Sequence, residues 1–411
     1  MERFDVVVIG AGPAGGQCAR QLTQAGQRVL LIEQHETFDQ NDFSSAATPL
    51  ETLETFNLPE TVIGSYWQNL VIITTNIQQK WPSPKPLGAV FDFAKLREFL
   101  ATEVQSQGGE VWMGYRYLRY YQNHQNTIVE LKQRSTGEII QVETQVLVDA
   151  TGPARAVMYS KKEPQPNYLT ATAIEYLIEL SATDYQKYSQ DLIFFLGHRW
   201  MPRGYSWIFP MGNNRLKVGS AQLNRSHQWV NQNQNLRSYV ELLLTDYLTD
   251  IPYKIINHHG GMLKYCSGLK DVYYQDNIIA IGDAVSMVNM LGGEGIRHGM
   301  QNANIAAGYI QDYLAGKITD FAGYRQDIRQ TYTKTWNGSE KMGLSKYLKY
   351  SDESIDKGVY YLKDLSLDDM MAILFHYDFK RLYKAVFKYL RYKFYKVWRT
   401  LKIKLHLTSD F

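Results

Sequence analysis

Phe4-Asp5-Val6-Val7-Val8-Ile9-Gly10-Ala11-Gly12-Pro13-Ala14-Gly15 decides the fold. The unbroken apolar run at residues 4–9 reads as a strand buried on both faces of a parallel sheet. A glycine turn follows at once, then a helix to about Ala25, then Arg28-Val29-Leu30-Leu31-Ile32-Glu33, a second strand ending on an acid. Strand, G-x-G-x-x-G turn, helix and acid-tipped strand stand at the spacing of the dinucleotide-binding fingerprint. Gly10 permits the tight turn, Gly12 lets backbone approach a pyrophosphate, Ala14 sits in the first helical turn, and Gly15 lets helix pack on strand. The helix N-terminus offers unpaired N–H groups to phosphate. Glu33, 18 residues beyond Gly15, is placed to accept from ribose hydroxyls.

The same physics recurs late in the chain. Asn277-Ile278-Ile279-Ala280-Ile281 is another buried strand, closing on the Gly282-Asp283-Ala284 corner. Gly292-Gly293-Glu294-Gly295-Ile296 is a second glycine turn, opening a helix from about Gly295 to Leu314. Two such turns in one chain suit a long ligand with its ends at residues 10–15 and 293–295. Between them, Leu70–Thr75 reads as a strand, Lys80–Pro86 as a Pro-rich connection, and Phe91 to about Gln107 as a helix. Residues 165–260 are rich in strands and aromatics, so a second domain is expected inside the first. The expected fold class is α/β plus β: an interrupted Rossmann-like domain (1–60, 88–160, 268–318), an inserted β-sheet substrate domain (61–87, 161–267), and a helical C-terminal region (319–411).

The chain of 411 residues is 45% hydrophobic and 21% charged, which excludes disorder, collagen and a disulfide miniprotein. Cys18 and Cys266 are the only cysteines, too few for a cysteine zinc site, and are expected to be packing residues. The first residues lack a signal-peptide pattern and no stretch is long and apolar enough to span a bilayer, so a cytoplasmic protein is expected. The net charge of +3 conceals an asymmetry: residues 379–406 carry ten Lys or Arg and no acid, leaving 34 basic against 41 acidic residues, −7, elsewhere. Leu382, Val386, Leu390, Phe394, Val397 and Leu401 share one side of a helical wheel, opposite Arg381, Lys384, Lys388, Arg391, Arg399 and Lys402. That pattern fits a cationic helix lying on an anionic membrane, peripherally, and equally one packed on its own protein. The acidic body argues against a nucleic-acid partner.

Gly10–Gly15 with Glu33, the strand end Asp149-Ala150-Thr151-Gly152, and Gly282-Asp283 near Gly293–Gly295 together resemble the cofactor motifs of FAD-dependent flavoproteins of the aromatic-hydroxylase fold. Within them, Gly282–Ala307 is most similar to the geranylgeranyl reductase family. Gly204-Tyr205-Ser206-Trp207-Ile208-Phe209-Pro210 matches that family's Y-x-W-x-F-P signature. The resemblance implies FAD, held by Gly10, Gly12, Ala14, Gly15, Glu33, Gly282, Asp283, Gly293, Glu294, Gly295 and Ile296. It implies an apolar isoprenoid substrate lined by Tyr205, Trp207 and Phe209, three alternating residues that share one face of a strand. The chain departs from the pattern at Ser44-Ser45-Ala46-Ala47, where many members carry C-G-x-G. It departs again at Phe93, where an Arg is usual, and at Met290, where a Pro is usual.

The expected activity is FAD-dependent reduction of carbon–carbon double bonds in an isoprenoid or prenyl lipid. The alternatives are a flavin-dependent monooxygenase or halogenase, a redox-neutral carotenoid cyclase, and a non-enzymatic lipid carrier. No second dinucleotide fingerprint is visible, so NAD(P)H binds transiently or a ferredoxin supplies electrons. No catalytic acid or base is identifiable from the sequence. Glu294 reads equally as a group ordering water beside the flavin and as a cap or solvated turn residue. His258 and His259 are expected in a loop, without a metal.

Overall fold

The computed structural model describes residues 1–123, 126–159, 165–226 and 235–384. β1 (Glu2–Ile9) runs parallel to β2 (Val29–Glu33) and to the strand Ile139–Asp149, with Val8 opposite Leu31 and Val148. Ile278–Ala280 extends the parallel pairing beyond Ile139–Asp149, and Glu110–Met113 extends it beyond β2. Helix α1 (Pro13–Gln24) packs beside α2 (Phe93–Ser106) and α3 (Ile296–Leu314). Val129 and Leu131 of an antiparallel strand, with Tyr324 and Ile328 of α4 (Ala322–Leu348), complete the same core. Val6, Val7 and Val8 are fully buried, which is why the strand is a continuous apolar run rather than an alternation.

A second sheet has the strand order Tyr253–Cys266, Tyr168–Leu180, Arg215–Leu223, Gly204–Met211, Asp191–Phe195, Asn69–Ile73, Gln78–Trp81. Alternation sorts its side chains. Ile208, Leu216 and Val218 face a core closed by Val240 and Leu243, while Trp207 and Phe209 face the other way, with Leu192 and Phe375. Gly219 lies opposite Trp207, and a Cβ there would sit 2.2 Å from the indole, so glycine is what lets the tryptophan lie across the neighbouring strand. A small sheet of Ala47–Pro49, Gly88–Phe91 and Ile63–Trp67 sits between the two. Tyr347 at the end of α4, Ile355, Val359 and Met370 then pack over Leu70 and Ile72.

Two sequence expectations change. His258 and His259 are not in a loop: they lie in the strand Tyr253–Cys266, opposite Tyr176 and Glu175. Ladder pairing along the thirteen-residue partner strand overrides the turn-like glycines that follow them. Lys80 and Trp81 belong to the edge strand Gln78–Trp81 rather than to the Pro-rich connection, because Trp81 is buried and donates to Leu365 O at 3.2 Å. Most of the segment expected to form a basic amphipathic helix lies outside the described residues, which end at Lys384. Its first members, Arg381 and Lys384, pair with Asp369 at 2.7 and 2.6 Å. Among the described residues, no helix is long and apolar enough to cross a membrane.

Candidate functional site

The site begins where β1 ends. A Cβ on Gly15 would sit 1.9 Å from Gly10 O, so only glycine allows α1 to start this close to the strand. Gly12 caps α1 without a side-chain cap, and its Cβ direction meets nothing within 4 Å. The N–H groups of the first helical turn therefore face open space, as an anion requires. Gly12, Pro13 and Ala14 line a cleft of about 410 Å³ that continues along Ala150, Gly282, Asp283, Gly293, Gly295 and Ile296. While Glu294 lines a neighbouring cavity, the structure brings residues 12–14, 282–283, 293, 295 and 296 to one groove. Gly10 and Gly15 shape it from behind.

Glu33 is placed differently from the other candidates. Its carboxylate is 5% exposed, accepts from Ala11 N at 3.3 Å, and pairs with Arg97 Nη2 at 2.7 Å. Arg97 also donates to Ala11 O at 3.0 Å and to Asn41 O at 2.8 Å, and its guanidinium lies over the Phe93 and Phe38 rings. This arginine, on the buried face of α2, ties the glycine turn to β2, and the sequence reading missed it. Its signal was a charge between Leu96 and Leu100 on an otherwise apolar helix face. Phe93 itself lines the cleft. Asp149 is wholly buried and accepts from Thr151 N, Thr151 Oγ1, Val157 N and Met158 N, which leaves it a structural role in folding the loop beside Ala150.

The Asp283 carboxyl has no hydrogen bond among the described residues, and Asp283 lines the groove. Burial pushes it up to about 6, against the opposing field of Arg155. Arg155 is itself fully buried, held by Asp271 at 3.3 Å and Ser286 Oγ at 2.9 Å.

A second cavity, about 110 Å³, adjoins the groove and shares Ser44, Ser45, Tyr205, Gly293 and Tyr347 with it. Ile72, Phe194, Leu196, Phe209, Leu374 and Phe375 make it an apolar pouch. The rings of Tyr205, Trp207 and Phe209 follow one another at 5.6 and 6.3 Å, and Phe194 closes on Phe209 at 5.2 Å. Tyr205 lines both cavities, Trp207 only the groove, Phe209 only the pouch. The Tyr205 hydroxyl donates to Gly292 O at 2.6 Å and that of Tyr347 to Leu291 O at 2.5 Å, so two phenols fix the glycine turn. Trp207 Nε1 donates to buried Glu175 at 2.8 Å. Lys217 Nζ donates to Ser44 O at 2.6 Å, anchoring the segment that departs from the family pattern.

Glu294 is neither a solvated turn residue nor a helix cap. Its side chain is 9% exposed and accepts from Arg297 Nε at 2.7 Å, Arg297 Nη2 at 2.9 Å and Tyr377 OH at 2.6 Å, with His298 Nε2 at 3.3 Å. Burial alone would raise its pKa. The histidine and arginine partners reverse that and hold the carboxylate far below its ordinary range. Burial lowers the pKa of His298 against the opposing field of Glu294, and its Nδ1 has no hydrogen-bond partner among the described residues. The sequence gives no hint of Tyr377, which reaches this turn from 83 residues away.

With this geometry in place, comparison with known proteins is decisive for the family. Residues 3–320 match the FAD binding domain family. The chain belongs to it. FAD is accordingly its cofactor, and the open helix terminus at Gly12 and the unpartnered Asp283 carboxyl fit a ligand with pyrophosphate and hydroxyl groups. This flavoprotein is 28% identical over 82% of its length to digeranylgeranylglycerophospholipid reductase of Haloferax volcanii, of which 82% is covered. It is 25% identical over 86% of its length to the Methanocaldococcus jannaschii protein of the same name, of which 89% is covered. Its fold matches a geranylgeranyl bacteriochlorophyll reductase-like protein from Thermoplasma acidophilum with a TM-score of 0.78, at 18% identity, over 94% of this chain and 100% of that one. A p-nitrophenol 4-monooxygenase from Pseudomonas putida shares the fold at a TM-score of 0.70 and 13% identity, covering 93% and 99%.

Proposed function

We propose that this flavoprotein saturates carbon–carbon double bonds of an isoprenoid or prenyl lipid. The observation that carries the reading is the apolar pouch that opens on the glycine turn at the end of the groove, sharing Tyr205, Gly293 and Tyr347 with it. An aromatic and aliphatic lining selects a hydrocarbon chain. The names of the Haloferax and Methanocaldococcus relatives support a reductase of prenyl lipids.

In this reading Gly12 and Ala14 receive the pyrophosphate, Gly10 and Gly15 give the turn the shape that allows it, and Asp283 accepts from a cofactor hydroxyl. Glu33 acts through Arg97 on the turn. Gly293, Gly295 and Ile296 face the ring system, and Tyr205, Trp207 and Phe209 hold the substrate chain. Reduced FAD, when bound, supplies a hydride to one alkene carbon, and a proton on the other carbon completes the addition. The protein's own residues orient the alkene and exclude water. Held ionised by its partners, Glu294 is a fixed charge beside the turn rather than the proton donor. Electrons come from NAD(P)H or a ferredoxin, and the basic C-terminal segment brings the chain to an anionic membrane that stores its substrate. In this reading the chain divides into an FAD-binding body (1–60, 88–160, 268–318), a substrate sheet (61–87, 161–267) and a C-terminal region expected to be helical (319–411).

The test is anaerobic. Protein carrying reduced FAD is mixed with a polyprenyl lipid, and the flavin spectrum and product masses are followed. Reoxidation with the gain of two hydrogens per bond is expected. Reoxidation only on admitting oxygen, with a hydroxylated product, would overturn the reading in favour of a monooxygenase.

A further inference from the structure

Glu175, Gly219 and Trp207 stand opposite one another on three adjacent strands of the second sheet, and the indole of Trp207 crosses Gly219 to donate to Glu175. A Cβ on Gly219 would sit 2.2 Å from the ring, so the crossing needs glycine. Pairing sets the rows on either side. Ala173, Ala221 and Tyr205 form the next row on one side, followed by Ala171 and Leu223, and all five line the groove. The next row on the other side is Leu177, Lys217 and Phe209, and the groove does not reach it. Of the middle row only Trp207 lines the groove. The alanine-floored part of the groove stops at the indole.

What lies behind the indole is charged. Glu175 and Lys217 are both buried. Lys217 Nζ donates to Phe91 O at 3.3 Å as well as to Ser44 O. His259, opposite Glu175 in the ladder, has its Nε2 2.8 Å from Asp42 Oδ1. Burial pushes the Glu175 carboxyl up against the opposing field of Lys217, and draws the Lys217 ammonium down. A buried acid is costly in a sheet, and packing an aromatic wall does not require one. The carboxyl supplies what packing alone does not, a fixed direction for the ring: a donor bonded to an acid holds its plane, and the apolar face is left to the groove.

We propose that Glu175 is a positioning residue, which fixes Trp207 as the end wall of the alanine-floored slot and so sets the longest hydrocarbon chain that the groove admits. The inference rests on the prenyl-lipid reading and deepens it, because it assigns the residues that measure the chain. A chain that fits ends against the indole. A longer one has to displace the ring and enter the region of Glu175, Lys217 and Asp42, where hydrocarbon meets buried charge.

The experiment uses the FAD-loaded full chain and prenyl diphosphates of ten, fifteen, twenty and twenty-five carbons. Binding is read from the flavin spectrum. Turnover is read from anaerobic reoxidation after dithionite reduction, with the maximal rate and the half-saturating concentration separated. In the wild type the ratio of the two should fall ~10-fold or more beyond one chain length, the scale on which an apolar pocket rejects a misfit. Glu175→Leu should flatten that fall to about threefold or less, chiefly through the half-saturating concentration, because the freed indole yields to a longer chain. Glu175→Gln, whose amide oxygen still accepts from the indole, should keep it. Gly219→Ala should move the fall to a shorter chain, since the added methyl pushes the ring off the sheet into the slot. Should Glu175→Leu not fold, this variant carries the test from the neighbouring strand. In a Trp207→Phe background Glu175→Leu should change the length profile no further. An equal loss at every length in Glu175→Leu, a fall that stays in place in Gly219→Ala, or an effect of Glu175→Leu that persists without the indole overturns the end wall. The two readings fail separately. Length-dependent binding without reoxidation by any probe leaves the end wall standing and sinks the reductase reading. Reoxidation by all lengths alike does the reverse.

Discussion

Asp283 and Glu294 sit on the two turns of one short stretch, yet the protein treats their carboxyl groups in opposite ways. The Asp283 carboxyl has no partner among the described residues, and burial pushes it up to about 6. Glu294 is bonded by Arg297 and Tyr377, with His298 beside it, and is held far below its ordinary value despite equal burial. Desolvation acts on both, and partners decide the sign. The lesson is functional: a carboxyl group left unsatisfied in a groove is waiting for a ligand, whereas one satisfied on all sides holds the groove's wall.

The largest expected effect breaks the ligand side of this contrast. Gly12→Glu brings a carboxylate to where the pyrophosphate belongs, at a position where a Cβ meets nothing within 4 Å. The purified variant should be folded and colourless, with FAD affinity reduced by roughly a hundredfold or more, since like-charge juxtaposition costs several kcal/mol. Full flavin occupancy in its absorption spectrum would remove residues 10–15 from the site.

Next comes the wall. Glu294→Gln leaves Arg297 buried beside a neutral amide, and breaking such a pair costs on the order of 3 kcal/mol. Urea unfolding at about pH 7 should show the loss. The group's folded pKa is depressed, so its contribution is present above the unfolded value of 4.5 and fades as pH falls through the folded one. The penalty should therefore shrink on acidification. An undiminished penalty at low pH would mean that packing, not charge, holds the turn.

Asp283→Asn tests the opposite sign. A folded pKa raised from 3.8 to about 6 means that the folded apoprotein binds its proton more tightly than the unfolded chain. Ionising Asp283 then destabilises the fold as pH rises through that interval, fully above about 6. The apo variant should be more stable than wild type at about pH 7, by on the order of 1–2 kcal/mol, with the gain vanishing below about pH 4. FAD should bind it more weakly, because the amide replaces an ionised acceptor. A variant less stable than wild type at neutral pH would show that Asp283 has a partner in the protein.

Legibility follows the same division. The glycine turns and their strands were readable because each needs only a local pattern: a run such as Val6–Ile9 buried on both faces, and a turn that tolerates no Cβ at Gly10 or Gly15. The Tyr205–Trp207–Phe209 face was readable from alternation. What the pattern did not carry were partners brought in by tertiary contact. Arg97 reaches Glu33 across 64 positions, Tyr377 reaches Glu294 across 83, and Tyr347 reaches Leu291 across 56. The contact of Lys217, which stands between Leu216 and Val218 in its strand, with Ser44 O also depends on the closed fold. His258 and His259 went astray for the converse reason: local glycine content suggested a loop, and pairing with Tyr168–Leu180 overruled it.

The smallest expected effect sharpens the comparison from the C-terminal side. The Tyr377 hydroxyl is the contact through which the segment after Leu367–Leu374 reaches the glycine turn, and Arg297 Nη2 reinforces it by donating to Phe375 O at 2.6 Å. Tyr377→Phe removes the bond to the ionised Glu294 and the contact with His298 Nε2 at 3.0 Å, while keeping the ring that packs near Trp336 and His298. The stability loss should be about 1 kcal/mol, since Arg297 still satisfies the carboxylate. In the double variant with Glu294→Gln the tyrosine should matter less than it does alone, because the charge that strengthens its bond has gone. Strict additivity of the two losses in urea would mean that Tyr377 acts through packing and that the C-terminal segment is coupled to the turn only by Arg297.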